Sequence, residues 1–211
     1  MEFYRGRIKF MLVQHWFSTP IFCCTIEDKD SIQKELINIY NKCSDENRFH
    51  KKPEFSSKNH SLSDVTFKSN IILESKLVKT QKQIIHNTKN YINYLNGPNS
   101  ADKLKILIKE SWLTKTSPGE NTVPHNHGDY DISGVYYIQT NGNDGSLSFI
   151  NPLSSLECTK FLPKGHGVVY KPEVGLMILF PSWLNHFVEP NDSNTERISL
   201  AFNIKLNFLT K

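Results

Sequence analysis

The spacing of hydrophobic residues changes near residue 100 of this 211-residue chain. Before that point, apolar residues recur every three or four positions, as they do along one face of an amphipathic helix. The pattern predicts a short helix over residues 28–43 and a longer one over residues 69–95, which the Gly97-Pro98 pair ends. The polar stretch 44–68 between them is typical of a loop, and residues 12–27 indicate one or two strands.

After residue 100 the period of the apolar pattern falls to two, which indicates β-strands. Turn sequences rich in Gly, Pro, Asn and Asp separate the short apolar runs. The predicted strands are 104–108, 132–138, 146–150, 167–171, 175–180, 185–188 and 197–208. Many short strands at this spacing are typical of a sandwich or barrel. We therefore expect a mainly β fold with packing helices (α+β), in which the N-terminal helices lie outside a double-sheet jelly roll.

The length of the chain fits a single domain over residues 1–211. We expect residues 1–100 to form a supporting N-terminal region and residues 101–211 to form the jelly-roll core. The net charge of +4 is small and the lysines are scattered, so the composition disfavours nucleic acid as a partner. No stretch reaches the roughly 18 apolar residues of a membrane-spanning helix, so no membrane partner is expected.

The four cysteines, at positions 23, 24, 43 and 158, form no CxxC pair. The apolar run Phe10–Val13 is too short for the core of a signal peptide and has no small-residue cleavage site after it. These features predict a cytoplasmic protein in a reducing compartment, with cysteines that act as buried small hydrophobic residues.

Histidine placement carries most of the chemical information. Two of the eight histidines lie in the segment Pro124-His125-Asn126-His127-Gly128-Asp129, where an extended chain points positions 125, 127 and 129 to one face. His186, at the start of a later predicted strand, is the obvious third ligand from across the barrel. A non-haem Fe(II) takes about three such ligands and keeps open positions, whereas a structural zinc fills four, usually with cysteines. Both His125/His127/His186 and His127/Asp129/His186 satisfy strand alternation.

A second polar group lies on the last predicted strand. Arg197 follows His186 after ten intervening residues, and Ser199 and Asn203 fall on the same strand face. An arginine inside a barrel is costly unless it meets an anion, and its planar fork matches a carboxylate. Arg197 and Ser199 therefore form a good receptor for the far carboxylate of 2-oxoglutarate.

Several aromatic residues and histidines are less informative. Tyr136 and Tyr137 point to opposite faces of one strand, so only one of them faces the pocket and can bond to a cosubstrate. Trp112 and Trp183 are candidates for the wall of the site, although a place in the core is favoured. The other histidines are expected at the surface or the edge of the core, or in a turn: His15, His50, His60, His86 and His166.

Segment 118–205 resembles the 2-oxoglutarate- and Fe(II)-dependent dioxygenase superfamily. It is most similar to a group of bacterial and tailed-phage oxygenases with the ordered motifs H-x-H, S-G-V-Y-Y, F-P-S-x-x-x-H and R-x-S. The chain has these motifs at His125–His127, Ser133–Tyr137, Phe180–His186 and Arg197–Ser199. Because this group keeps the H-x-H, the resemblance favours His125, His127 and His186 as the metal ligands over the set that contains Asp129.

The resemblance implies an enzyme with Fe(II) as its cofactor and 2-oxoglutarate as its cosubstrate. The implied cosubstrate-binding residues are Arg197, Ser199, Tyr136, Tyr137 and Asn203. The implied reaction couples 2-oxoglutarate decarboxylation to C–H oxidation, as in a hydroxylase, on a small molecule or a protein side chain. Loops 44–68 and 153–166 are expected to contact this unidentified substrate.

Two other functions stay open. The first is a non-catalytic cupin-like module that binds a metal or a ligand, which the H-x-H and the barrel would also fit. A buried carboxylate receptor argues against it, because such a module has no need for Arg197 and Ser199. The second is nucleic-acid repair, which the scattered positive charge disfavours.

Overall fold

The computed structural model describes residues 18–26, 29–51, 59–63, 69–152 and 167–209. The helices in these ranges are α1 (Lys29–Asp45), α2 (Ile71–Glu74) and α3 (Val78–Asn96), with a 3-10 helix at Ser100–Lys103. The strands are β1 (Phe22–Thr25), β2 (Ser61–Leu62), β3 (Leu104–Thr116), β4 (Thr122–His125), β5 (Ile132–Gln139), β6 (Leu147–Ile150), β7 (Gly167–Tyr170), β8 (Leu176–Pro181), β9 (His186–Val188) and β10 (Arg197–Phe208). The fold is thus mainly β with few helices. His15, His166, Cys158 and the loop 153–166 lie outside the described residues.

The described strands form two antiparallel sheets. The larger sheet has the order β1-β8-β5-β10-β3-β2, and the smaller one has the order β4-β9-β6-β7. Strand β10 lies between β3 and β5 and pairs with β3 along its whole length. Because side chains alternate along a strand, the two faces of β10 have different roles. Ile198, Leu200, Phe202 and Ile204 join the main apolar core, whereas Arg197, Ser199, Ala201 and Asn203 line a cavity.

Two apolar clusters stabilise the fold. In the larger one, Leu36 of α1 and Ile84 of α3 belong to the same buried cluster as sheet residues such as Leu113. The smaller one includes Phe149 and Phe180, whose rings pack edge to face with their centroids 4.8 Å apart. Phe149 lies directly opposite His186 in the smaller sheet, so this cluster packs beside the predicted metal ligands. No helix in the described ranges is long and apolar enough to cross a membrane.

The long helix predicted over residues 69–95 is interrupted in the structure. The Asn70 side chain caps α2, and the Ser75 backbone N–H donates to the Ile71 carbonyl as that helix ends. Lys76 then adopts a left-handed conformation with φ 52°, which turns the chain before α3 begins. Leu77 is buried between the two helices. The apolar period continues across the break, which is why the pattern alone indicates one helix.

The cysteine prediction holds only in part. Cys43 is buried on α1, as expected, but Cys23 is exposed. The reason is topological, because β1 is an edge strand and its alternate residues face away from the core.

Candidate active site

Three histidines meet where β4 and β9 pair. His125 ends β4 and lies directly opposite His186, which begins β9. The ring centroids of His125 and His186 are 4.3 Å apart, and those of His127 and His186 are 5.3 Å apart. One ligand atom from each of the three residues lies within 4.8 Å of the others. A single metal ion can therefore contact all three imidazoles.

Backbone carbonyls orient two of these rings. The Nδ1 atom of His125 lies 2.9 Å from the Val123 carbonyl oxygen, and the Nδ1 atom of His186 lies 2.9 Å from the Leu184 carbonyl oxygen. A carbonyl only accepts, so each Nδ1 carries the hydrogen and each Nε2 carries the lone pair that binds a metal. Burial, and then the neighbouring His125, lower the pKa of His186 to about 4. His186 is therefore neutral at physiological pH, as metal ligation requires.

The structure does not bring Asp129 into this cluster. Strand β4 ends at His125, and the Tyr130 backbone N–H donates to the His127 carbonyl at 3.0 Å, which closes a turn. Asp129 lies exposed in that turn, where its backbone carbonyl accepts from Lys205 Nζ at 3.2 Å. The alternation argument for Asp129 is therefore wrong, because it assumed an extended chain beyond His127.

Arg197 is almost fully buried, with 2% of its surface exposed. Its Nη1 donates to the carbonyls of Asp144 at 3.0 Å and Gly145 at 2.5 Å, and its Nη2 donates to Thr116 Oγ1 at 2.9 Å. Its Nε is buried without a hydrogen-bond partner in the described part of the chain. Burial lowers the pKa of Arg197 from its ordinary value. In the described ranges no carboxylate forms an ion pair with this buried cation.

One cavity of about 80 Å³ joins the three histidines to Arg197. Ser199, Asn203 and Tyr137 also line it, as the sequence predicts for one of the two tyrosines. Tyr136 is directed away from the cavity, because its hydroxyl donates to Gln33 Oε1 on α1 at 3.4 Å. The inclusion of Tyr136 among the cosubstrate-binding residues is therefore corrected, since it packs in the core between the helices and the sheet.

Asn203 links the cavity to the segment that carries His127. Its Oδ1 accepts from Ser133 Oγ at 2.8 Å, and its Nδ2 donates to Glu110 Oε2 at 3.2 Å. Ser133 Oγ also lies 2.8 Å from Ser182 Oγ, and the Ser182 carbonyl accepts from the His127 backbone N–H at 2.7 Å. These contacts connect Asn203, through Ser133 and Ser182, to the backbone of His127.

Two further residues line the cavity, and sequence reasoning missed the first of them. His60 was expected at the surface or core edge, but it is buried and lines the cavity. Trp112 also lines the cavity, and its ring centroid lies 6.0 Å from that of His127. The other tryptophan assigned to the core, Trp183, is 52% exposed. No periodicity marks residues 44–68, so His60 becomes informative only once β2 is paired with β3.

Comparisons with known proteins agree with this geometry. Residues 110–203 match the model of a family described as "Putative 2OG-Fe(II) oxygenase". This segment contains all three clustered histidines together with Arg197 and Ser199. Comparison with curated proteins finds no match.

Solved structures show where this fold occurs. The α-ketoglutarate-dependent epimerase SnoN from nogalamycin biosynthesis aligns with a TM-score of 0.62 at 10% identity, over 88% of this chain and 77% of SnoN. A prolyl-4-hydroxylase from Pseudomonas putida aligns with a TM-score of 0.57 at 15% identity, over 89% and 93% of the two chains. A prolyl hydroxylase from Trichoplax adhaerens, solved with a peptide of hypoxia inducible factor, aligns with a TM-score of 0.60 at 13% identity. The alignment covers 88% of this chain and 83% of the hydroxylase.

SnoN has also been solved in complex with Fe³⁺, α-ketoglutarate and nogalamycin RO. At these identities the solved structures show a shared fold, while the family match covers the segment that builds the site. The family match over residues 110–203 and the shared fold together support an oxygenase enzyme that uses Fe(II) and 2-oxoglutarate.

Proposed function

We propose that this protein binds Fe(II) through His125, His127 and His186, binds 2-oxoglutarate through Arg197 and Ser199, and hydroxylates a C–H bond of its substrate. The observation that carries the proposal is the single cavity that joins three imidazoles to a buried arginine without a carboxylate partner in the described residues. A metal-binding module alone gives no reason to bury such a cation beside the metal ligands.

The three histidines fit a divalent transition metal. Imidazole suits iron as well as zinc, copper and nickel, and three ligands on one side leave positions for a cosubstrate. The backbone carbonyls of Val123 and Leu184 hold two of the rings in the tautomer that ligation needs. When bound, Fe(II) supplies dioxygen activation coupled to the decarboxylation of 2-oxoglutarate to succinate.

Arg197 fits the distal carboxylate of the cosubstrate. Its Nη atoms are fixed by two backbone carbonyls and by Thr116, and its Nε remains as an unsatisfied donor. Ser199, two residues further on the same strand face, adds a hydroxyl about 7 Å along the cavity. A guanidinium held in this way needs little reorganisation to bind a carboxylate, so little side-chain entropy is lost on binding.

The remaining cavity residues exclude water and orient the cosubstrate. Tyr137 and Phe180 belong to the apolar cluster that packs against the site. Trp112 is proposed to form the wall beside His127. In a cavity with few competing waters, the hydrogen bonds between Arg197 and a carboxylate are stronger than in bulk solvent.

We also propose that the two sheets form a double-stranded β-helix within one domain over residues 1–211. The facing of the two sheets around one cavity supports this topology. Hydroxylation is favoured because two of the relatives with this fold are prolyl hydroxylases. The substrate is proposed to be a small molecule or a protein side chain.

Anaerobic titration tests the proposal directly. Fe(II) and then 2-oxoglutarate are added to the full chain, and a weak visible charge-transfer band is expected only when both are present. On admission of oxygen, the loaded protein is expected to release succinate. Binding of Fe(II) without any response to 2-oxoglutarate would contradict the proposal and favour the cupin-like binding module.

A further inference from the structure

We propose that Glu110 determines the class of substrate, because its carboxylate binds a positively charged group of that substrate, an ammonium or a guanidinium. The inference rests on the proposed function, which leaves the substrate unidentified. It starts from a carboxylate that contacts the wall of the metal cavity and has no ion pair in the described ranges.

Strand register places Glu110 just beyond the metal end of the cavity. In the pairing of β3 with β10, Glu110 lies opposite Asn203, whereas Arg197 begins β10 at the other end of the same row. Glu110 Oε2 accepts from Asn203 Nδ2 at 3.2 Å, and Asn203 lines the cavity. Trp112, on the same face of β3, lines it too, and its ring centroid lies 6.0 Å from that of His127. Glu110 is therefore about 7 Å along the strand from a residue beside a proposed metal ligand.

Neutral groups hold the Glu110 carboxylate in place. Besides Asn203, the Tyr130 side chain hydrogen-bonds to it. Burial raises the pKa of Tyr130, and the hydrogen bond to Glu110 and the negative charge of Glu110 raise it further. Tyr130 is therefore a protonated donor to the carboxylate, which keeps its full negative charge.

Neighbouring lysines do not neutralise this carboxylate. Lys205 Nζ lies 3.6 Å from Asp131 Oδ1 and donates to the Asp129 backbone carbonyl at 3.2 Å. Lys109 is exposed at the irregularity where the register of β3 and β10 shifts. Because Glu110 is half-buried, its carboxylate loses hydration without gaining an opposite charge, and a bound cation would supply that charge.

Two aromatic residues adjoin the carboxylate and favour the same kind of ligand. Trp112 is its neighbour on the same face of β3, and Tyr130 is its hydrogen-bond donor. Both are partly exposed, so a ligand can reach them from solvent. The faces of Trp and Tyr rings attract ammonium and guanidinium groups. A neutral group of the same size gains neither the cation–π attraction nor the attraction to the carboxylate.

The test measures binding to the full chain loaded with Fe(II) and 2-oxoglutarate, by calorimetry without oxygen. The probes are L-lysine and L-arginine, with L-norleucine and L-citrulline as their neutral counterparts, each supplied free and within a blocked tripeptide. We expect a cationic probe to bind about tenfold more tightly than its neutral counterpart, the equivalent of one charge-assisted hydrogen bond. Preference for the free amino acid would indicate a small-molecule substrate, and preference for the tripeptide would indicate a protein side chain.

Three variants locate the effect. Glu110→Gln keeps an acceptor for Asn203 but removes the charge, so the cationic probe is expected to bind no better than the neutral one. Glu110→Asp keeps the charge on a shorter side chain and is expected to retain part of the preference. Glu173→Gln removes an exposed carboxylate outside the cavity wall and is expected to bind every probe as the wild type does.

The two proposals fail in different ways. If the wild-type protein gives no charge-transfer band with Fe(II) and 2-oxoglutarate, the proposed function is wrong and the role of Glu110 is lost with it. If the band forms but no cationic probe binds more tightly than its neutral counterpart, only the inference about Glu110 is overturned. A preference for cations that persists in Glu110→Gln overturns it as well.

Discussion

At the level of single residues, the geometry of the metal site depends on backbone carbonyls as much as on the imidazoles. His125 and His186 each turn Nδ1 toward the carbonyl two residues earlier, and this contact orients the ring. The arrangement is compact, because each ligand and its supporting carbonyl are only two residues apart in the chain. Substitution of a ligand is therefore expected to remove metal binding while it leaves the support intact.

For His186→Ala, we expect the loss of stoichiometric Fe(II) binding with the fold retained, because one of three nitrogen ligands is removed. The measurement is bound iron per chain after anaerobic loading and desalting, with circular dichroism to verify the fold. His86→Ala, on α3 and away from the site, is the matched histidine control and is expected to bind iron normally. Full iron occupancy in His186→Ala would contradict the assignment.

The choice between the two ligand sets can be tested in the same assay. His125→Ala is expected to empty the site, whereas Asp129→Ala is expected to retain it, because the Asp129 carboxylate lies in an exposed turn outside the cluster. The opposite pattern, with iron lost only from Asp129→Ala, would mean that the turn rearranges when metal binds.

Arg197→Lys separates cosubstrate binding from metal binding. Lysine keeps the positive charge but cannot reproduce the planar fork or the Nε donor. We expect the 2-oxoglutarate dissociation constant to rise about tenfold to a hundredfold, for the loss of one or two charge-assisted hydrogen bonds. Iron occupancy is expected to be unchanged, and unchanged 2-oxoglutarate affinity would argue against the receptor role.

At the level of elements, periodicity predicts most of the strands and both major helices. It does not predict β2, whose two residues carry no pattern, or the full length of β3, which continues to Thr116. The residues of the candidate site also divide into those that a local pattern predicts and those that it does not. His125, His127, His186, Arg197 and Ser199 occur in short motifs, so they are visible in the sequence. Asp129 is excluded because β4 stops at His125, and His60 lines the cavity because β2 pairs with the distant strand β3. A local sequence pattern contains neither of these facts.

The pairing of β5 with β10 depends on the absence of a side chain at Gly134, which lies opposite Phe202. A Cβ atom there would lie 2.4 Å from the Phe202 ring and 2.7 Å from Leu179 Cδ2, both in the core. We expect Gly134→Ala to lower the free energy of unfolding by about 1–3 kcal/mol, the usual cost of overpacking. Urea unfolding measures this, and the exposed Gly128→Ala is the control that is expected to change little. Equal stability of the two variants would contradict the packing argument.

At the scale of the whole molecule, the buried His186 couples stability to pH in the metal-free protein. Its pKa is lowered from the ordinary value of 6.5 to about 4 in the folded state. The unfolded chain therefore binds a proton that the folded chain excludes, so the contribution of His186 is complete above about pH 6.5 and is lost as the pH falls toward 4.

The free energy of unfolding of the metal-free protein is expected to fall by about 2 kcal/mol between pH 6.5 and pH 5, at roughly 1.4 kcal/mol per pH unit. Urea unfolding in the presence of a chelator at these two values measures it. His186→Asn lacks the titrating group. Its free energy of unfolding is therefore expected to fall by about 2 kcal/mol less than that of the wild type over the same pH interval. A wild type and variant with equal pH dependence would show that His186 is not held neutral by the fold.

The two faces of β10 make folding and chemistry inseparable. Arg197, Ser199 and Asn203 alternate with Ile198, Leu200 and Phe202, so one strand serves the cavity on one side and the main core on the other. Removal or addition of a single residue near the start of β10 would exchange these sets, turning a guanidinium into the apolar core and aliphatic groups into the cavity. Insertion or deletion of one residue in this strand therefore reverses both faces at once. Only a change of two residues keeps each side chain on its original face.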